Sequence, residues 1–279
     1  MQDRSGRTMA SGYSAHLGYM FNEHPLEQRF AAAAAAGFSA VEHPSPYPVP
    51  AATLRRILAD CGLTFVQMAL PAGDPGRGEK GIAGLPGREA EFDASLARGL
   101  DYAEAIGCRM VHVMAGVVPE GSSRDACWPL YCERLAQAAA AADARGMTLL
   151  IEPIGIATIA NYLLDDPYLG LRALDAVDAP NVRLLLDAFH CANSGIDAAR
   201  FVERHRRDIA HVHIADHPGR HEPGTGTLDF TRFFSALATA GYGGAIGLEY
   251  IPAGETGAGL AWMRTYPDPL GRGTREGAG

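Results

Sequence analysis

Four residues in the second half of the chain could share one chemistry: Glu152 in TLLIEPI (148–154), Asp187 in VRLLLDAFH (182–190), His213 in IAHVHIA (209–215) and Glu249 in AIGLEY (245–250). Each segment is a short apolar run with the period-two pattern of a β-strand, and each polar residue falls near its C-terminal end. Leu149 and Ile151 share one face against Leu150 and Glu152, and Leu184 and Leu186 oppose Leu185 and Asp187. Val212 and Ile214 oppose His211 and His213, and Ile246 and Leu248 oppose Gly247 and Glu249. If the Val/Ile/Leu sets pack beneath helices, Glu152, Asp187, His213 and Glu249 all point the other way. Three carboxylates and an imidazole converging at close range repel one another unless a cation neutralises them. Three oxygens and one nitrogen with open positions suit Mn²⁺ or Mg²⁺; Co²⁺ also fits, and a thiolate-seeking ion is disfavoured. Any one of these residues alone would more often be a satisfied core ion pair. Four on consecutive strands at matching depth favour a metal site.

Eight strand candidates run along the chain at 14–21, 40–43, 64–70, 110–115, 148–154, 182–190, 209–215 and 245–250. Between them lie Ala- and Leu-rich stretches with helical spacing at 26–36, 51–61, 88–106, 129–145, 168–176, 197–206 and 229–240. Glycine follows several of them, as at Gly62 and Gly107, where a helix commonly ends in a left-handed residue. Strand then helix, repeated without a composition break, predicts an α/β fold, a single (β/α)8 TIM barrel over 14–263. Poorly ordered ends are expected at 1–13 and 264–279. In such a barrel the active site lies at the C-terminal face of the strands, where the four polar residues fall.

The 24 Lys and Arg against 32 Asp and Glu leave a formal charge of −8, with no basic stripe. That argues against a nucleic-acid groove, and a small-molecule substrate is expected instead. Five scattered cysteines without Cys-x-x-Cys spacing argue against disulfides or a thiolate zinc site and for a reducing cytoplasm. No apolar run is long enough for a membrane span, and MQDRSGRTMA is followed by no apolar signal core. The sequence does not set an oligomeric state, and a homo-oligomer is admitted. There is no Gly-x-Ser-x-Gly elbow and no P-loop; Gly224-Thr225-Gly226 reads as a turn, and Trp128 with Tyr131 as core or a subunit contact.

IEP (151–153), LLLDAFH (184–190), HVHIAD (211–216), HEPGTG (221–226) and LEY (248–250) resemble the hydroxypyruvate isomerase family of the xylose isomerase-like barrels. LPAGDPGRGEKGIAGLPGREAEF (70–92) resembles that family's long third-strand loop, and AGLAWM (258–263) its last helix. The resemblance implies a metal held by Glu152, Asp187, His213 and Glu249, with the two glutamates as acid and base. It also implies that His190 and Arg220 contact substrate oxygens. The chain differs from the family pattern at Gly155, where Asn is common, at Thr158, where an acidic residue is common, and at Pro75, which replaces a Trp.

With a carbonyl and an adjacent hydroxyl on the metal, the neighbouring C–H becomes acidic, and one carboxylate can take that proton to give an enediolate. A proton is returned at the neighbouring carbon by the opposite carboxylate or the same one. For hydroxypyruvate the product is tartronate semialdehyde. The loop at 71–88 is too long for an ordinary connection and carries Arg77, Lys80 and Arg88, so it is expected to be a lid over an anionic substrate, with Lys80 a substrate contact. A ketose 3-epimerase or 2-oxotetronate isomerase would use the same residues. An apurinic endonuclease and a non-catalytic sugar-binding barrel are the readings outside this class. His112 serves substrate or barrel filling equally well, and Glu42 and His43 are equally well explained by an ion pair at the barrel mouth.

Overall fold

The computed structural model describes residues 12–271. The elements in order are β1 (Tyr13–His16), α1 (Leu26–Ala35), β2 (Ala40–Glu42), α2 (Ala51–Cys61), β3 (Thr64–Phe65), β4 (Gln67–Ala69), α3 (Glu89–Ile106), β5 (Met110–His112) and α4 (Arg124–Asp143). There follow β6 (Thr148–Ile151), α5 (Pro167–Val177), β7 (Val182–Asp187), α6 (Ala188–Asn193), α7 (Ala198–His205), β8 (Ile209–Ile214), α8 (Phe230–Thr239), β9 (Ile246–Leu248) and α9 (Thr256–Gly259). All strand pairings are parallel, in the order β3-β2-β1-β9-β8-β7-β6-β5-β4. The predicted third strand is split at Val66: its first half pairs with β2 and its second with β5, so one chain segment bridges the two ends of the sheet. The protein is a TIM barrel of eight strand–helix units in which the third strand is written as two.

The period-two pattern sorts as predicted. Leu149, Ile151, Leu184, Leu186, Val212, Ile214, Ile246 and Leu248 join one continuous buried core, whereas the equally buried Leu150 and Leu185 stand apart from it. Helices present Leu54, Leu100, Leu135 and Leu237 to that core. Each such side chain contributes roughly 1.5–3 kcal/mol on burial, which holds the strand ends, and anything mounted on them, in fixed positions. Gly62 and Gly107 close α2 and α3 in the left-handed conformation, as expected.

Several boundaries differ: the first predicted strand, 14–21, ends at His16, and three other differences bear on the site or the packing. The run 182–190 is strand only to Asp187, whose side chain accepts a hydrogen bond from Phe189 N–H (2.8 Å) and starts α6, so His190 sits on a helix. Helix α4 begins at Arg124 rather than 129, because Ser123 caps it and Pro129 is tolerated inside. Residues 264–271, expected to be loose, are packed. Tyr13 OH donates to the Tyr266 carbonyl (2.9 Å), the Tyr266 ring meets Phe234 edge-on, and Leu270 is buried. Residues 1–11 and 272–279 lie outside the described residues. Among the described residues no helix is long and apolar enough to cross a membrane, and all five cysteines are free thiols.

One irregularity in the sheet decides which side chain of β8 stands beside the end of β7. Between these two strands the register steps from Leu184↔Ile209 to Leu185↔His211 and ends at Asp187↔His213. Parallel partners point to the same side, and one residue of slip exchanges the two faces. Without the extra residue Val212, not His213, would stand beside Asp187.

Candidate active site at the barrel mouth

Glu152 follows β6, Asp187 closes β7, His213 lies near the end of β8 and Glu249 follows β9. The structure brings these four together: one ligating atom from each lies within 4.8 Å of all the others. His213 Nδ1 is 3.5 Å from Glu249 Oε2 and 3.9 Å from Glu152 Oε1. Glu152 Oε1, Asp187 Oδ2 and His213 Nδ1 are buried without a hydrogen-bond partner. Buried polar atoms are nearly always satisfied, so three that converge on one point could together hold a cation. The donor set, hard oxygens with one imidazole nitrogen, fits a divalent metal.

The electrostatics agree. Burial, reinforced by the Glu249 charge, pushes the Glu152 carboxyl well above the usual range. Burial acts on Glu249 in the same sense, but His213, His16 and Arg220 outweigh it and hold Glu249 well below. His213 is raised because Glu42 and Glu249 overcome the cost of burial. Without a cation the cluster therefore relieves its excess negative charge by holding protons.

The other predicted residues surround this centre. His190 Nε2 stands 3.6 Å from Asp187 Oδ2, and its Nδ1 is 3.4 Å from Thr158 Oγ1. Arg220 donates to Glu249 Oε2, lies 3.7 Å from Asp187 Oδ2, and stacks its guanidinium over the Tyr19 and Phe189 rings. Its Nε is buried and has no hydrogen-bond partner among the described residues. Lys80 is exposed and lines the same cavity of about 720 Å³ as Glu152, His190, His213, Arg220 and Glu249.

The positive set expected of the long loop is smaller than its sequence suggests. Arg88 is bound by Glu79 and Glu91, and Arg77 by Asp74 and Glu79, which leaves Lys80. Burial of Gly81–Leu85 also restricts the loop. The buried Arg134 donates to the Ile82, Ala83 and Leu85 carbonyls (2.9–3.0 Å), so the exposed part of the loop beside the cavity is 74–80, with Glu79 half-buried within it. Gly224-Thr225-Gly226 is a turn whose N–H groups at 224 and 226 are taken by Asp216.

Several cavity residues were not singled out from the sequence. His16 Nε2 lies 3.1 Å from Glu249 Oε1, and its inward position was implied by alternation with Ser14. Gln67 and Tyr19 line the cavity, and Arg98, in the middle of α3, stacks on the Tyr47 ring at 5.0 Å beside it. His112 meets Glu152 Oε2 at 3.7 Å and is pushed down to about 3 by burial and by His213, so it is a neutral neighbour of the cluster. Glu42 meets His211 Nε2 at 2.7 Å, fully buried below the mouth; burial lowers the His211 pKa despite the Glu42 charge, so the contact is a hydrogen bond to a neutral imidazole rather than the ion pair anticipated at the mouth.

The profile of the xylose isomerase-like TIM barrel family matches residues 30–266. The chain belongs to that family. It is 44% identical over 260 residues to the 2-oxo-tetronate isomerase of Cupriavidus necator, covering 93% of this chain and 99% of that one. It is 35% identical over 254 residues to the hydroxypyruvate isomerase of Escherichia coli, covering 91% and 98%. A crystal structure described as an AP endonuclease, family 2, from Brucella melitensis superposes with a TM-score of 0.88 at 38% identity, covering 91% and 98%. With these relatives the chain is an isomerase of the hydroxypyruvate isomerase-like kind, as its motifs implied.

Proposed function

We propose that this protein is a metal-dependent isomerase that interconverts a short 2-keto acid and its aldehyde isomer through an enediolate. The observation that carries this is the convergence of Glu152, Asp187, His213 and Glu249, with three unpartnered buried atoms, at the C-terminal mouth of the barrel. A divalent cation, Mn²⁺ or Mg²⁺, held by those four residues would supply the charge that polarises a substrate carbonyl and acidifies the neighbouring C–H. The chain's own residues do the rest. Glu152 and Glu249 flank the centre as the proton-moving pair. One carboxylate takes the proton from the hydroxyl-bearing carbon and a proton is returned to the former carbonyl carbon, while the hydroxyl proton passes to the former carbonyl oxygen, so that the hydroxyl becomes the new carbonyl. His190, on α6 behind Asp187, faces the same cavity and contacts a substrate oxygen. The free Nε–H of Arg220 and the Lys80 ammonium are the donors for the substrate carboxylate. For hydroxypyruvate the product is tartronate semialdehyde.

The four-carbon 2-oxo-tetronate is the second substrate to consider, favoured by the higher identity to the enzyme named for it and by a cavity with room beyond a three-carbon acid. A formal charge of −8 and an acidic centre count against a DNA backbone as substrate, whatever the Brucella structure is named for. The test is incubation of metal-loaded protein in deuterated water with hydroxypyruvate, 2-oxo-tetronate and a neutral ketose, reading C–H exchange and product. Exchange and isomerisation of an acid are expected. A preference for the ketose, with its C3 epimer as product, would move the protein to the epimerases.

A further inference from the structure

Beneath the acidic centre lies a group the proposed reaction does not use. Glu42, on β2, is wholly buried, and its reach is unusual. In the sheet β2 is separated from β8 by β1 and β9, yet the Glu42 carboxylate crosses the barrel interior to both inward histidines of β8. Its Oε2 lies 2.7 Å from His211 Nε2, its Oε1 accepts from Ser14 Oγ at 3.3 Å, and the same Oε1 stands 3.4 Å from His213 Nε2, a buried nitrogen that makes no hydrogen bond in this geometry. The passage is open because β9 carries Gly247 at the crossing. A Cβ there would lie 2.1 Å from Glu42 Oε1 and 2.4 Å from His213 Cδ2. Gly247 is the register partner of both Ser14 and His213, so the three neighbours in that row are a hydroxyl, no side chain and an imidazole.

The two nitrogens of His213 thus face different partners. Nδ1 looks up at Glu152 and Glu249, while Nε2 looks down at Glu42. A histidine that ligates a metal through one nitrogen must carry its proton on the other, and a carboxylate beyond that second nitrogen fixes both the tautomer and the ring orientation.

We propose that Glu42 is a positioning residue for the metal centre, accepting the Nε2–H of His213 so that Nδ1 is presented bare to the cation. The inference rests on the metal reading of the site. His211 and Ser14 hold the Glu42 carboxylate in place, and Gly247 keeps the path between Glu42 and His213 clear. Glu42 touches neither substrate nor metal in this arrangement. Its effect passes through His213 alone.

The test is titration of Mn²⁺ into metal-free wild type, Glu42→Gln and Gly247→Ala, followed by calorimetry and by Mn²⁺ electron paramagnetic resonance. Wild type is expected to bind one ion, and both variants one ion with affinity lower by about 10–100-fold, the usual effect of removing such a partner. In Mg²⁺-loaded wild type, ¹⁵N spectra of the imidazoles should place the His213 proton on Nε2. That last measurement needs no variant, so it decides the matter even if the substitutions prevent folding. Affinity within twofold of wild type in a folded Glu42→Gln, or a His213 proton on Nδ1, would overturn the inference while leaving the metal site standing. Two ions in wild type and one in Glu42→Gln would overturn it differently, by making Glu42, His211 and His213 a metal site themselves. Wild type that binds no Mn²⁺ would bring down the metal reading and this inference together.

Discussion

Asp187 and Asp216 occupy comparable places, each at or just after the end of a neighbouring barrel strand and each almost fully buried, yet their surroundings are opposite. Asp216 is saturated. Oδ1 accepts from the N–H groups of His217 (2.8 Å) and Leu228 (3.1 Å), and Oδ2 from those of Gly224 (2.7 Å) and Gly226 (2.8 Å). At Asp187, Oδ1 accepts from Phe189 N–H, whereas Oδ2 has no hydrogen bond and lies near two glutamates, with His190 Nε2 at 3.6 Å and the Arg220 guanidinium at 3.7 Å. One carboxylate ties down the loop that carries Arg220; the other is left open. Burial alone does not mark a functional carboxylate. An unpartnered oxygen aimed at other acids does, because the fold leaves that oxygen without a hydrogen bond beside like charge.

This contrast can be broken by measurement. Glu152→Gln and Glu249→Gln should each lower turnover and C–H exchange by about 10²–10⁴-fold, the contribution of a positioned acid–base group. Metal content must be measured alongside, since a variant that keeps its metal and exchanges protons normally would reduce that glutamate to a ligand.

Stability should move in opposite directions at the two aspartates. In metal-free protein, Asp216→Asn should cost about 3 kcal/mol by denaturant titration, because an amide nitrogen cannot accept the N–H bonds and hydrogen bonds to a charged group are worth ~1.5–3 kcal/mol each. Asp187→Asn should leave stability unchanged or raise it by about 1 kcal/mol, because it relieves like-charge crowding. Equal destabilisation would erase the distinction.

Arg220→Met should raise KM for a 2-keto acid by about tenfold and that for a neutral ketose little, since a charge-assisted hydrogen bond to the carboxylate is lost. Equal losses for both substrates would make Arg220 a brace for Glu249 instead.

The smallest effect belongs to the loop beside the cavity. Hydrogen bonds from Arg88 hold Glu79 at about 2 against an ordinary 4.5. A depressed carboxylate stabilises the fold fully above its unfolded value, and that contribution is lost as pH falls through the folded one. Amide exchange at 74–80 should therefore accelerate locally between pH 4.5 and about 2, and Glu79→Gln should abolish the pH dependence.

Much of this was legible in the sequence. The strand runs, the glycine-closed helices and the polar strand ends at Glu152, Asp187, His213 and Glu249 follow from local periodicity, which a chain displays residue by residue. The register step that turns His213 toward Asp187 does not, because it depends on how two strands align. Nor does the neutralisation of Arg77 and Arg88 by Glu79, which depends on how a loop folds back on itself. The Glu42–His213 approach spans 171 positions and is permitted by what residue 247 lacks. Asp187 doubles as a helix cap, so a run that reads as nine residues of strand ends early.

On the proposed function, the open carboxylates at the barrel mouth hold a divalent cation. Titration of Mn²⁺ into chelator-stripped wild type, read by calorimetry and in parallel by turnover of hydroxypyruvate and 2-oxo-tetronate, tests it most directly. One ion per chain is expected, with activity absent before the titration, rising in step with occupancy, and no binding in Asp187→Asn combined with Glu249→Gln. Full activity in protein shown by elemental analysis to be metal-free would contradict the account.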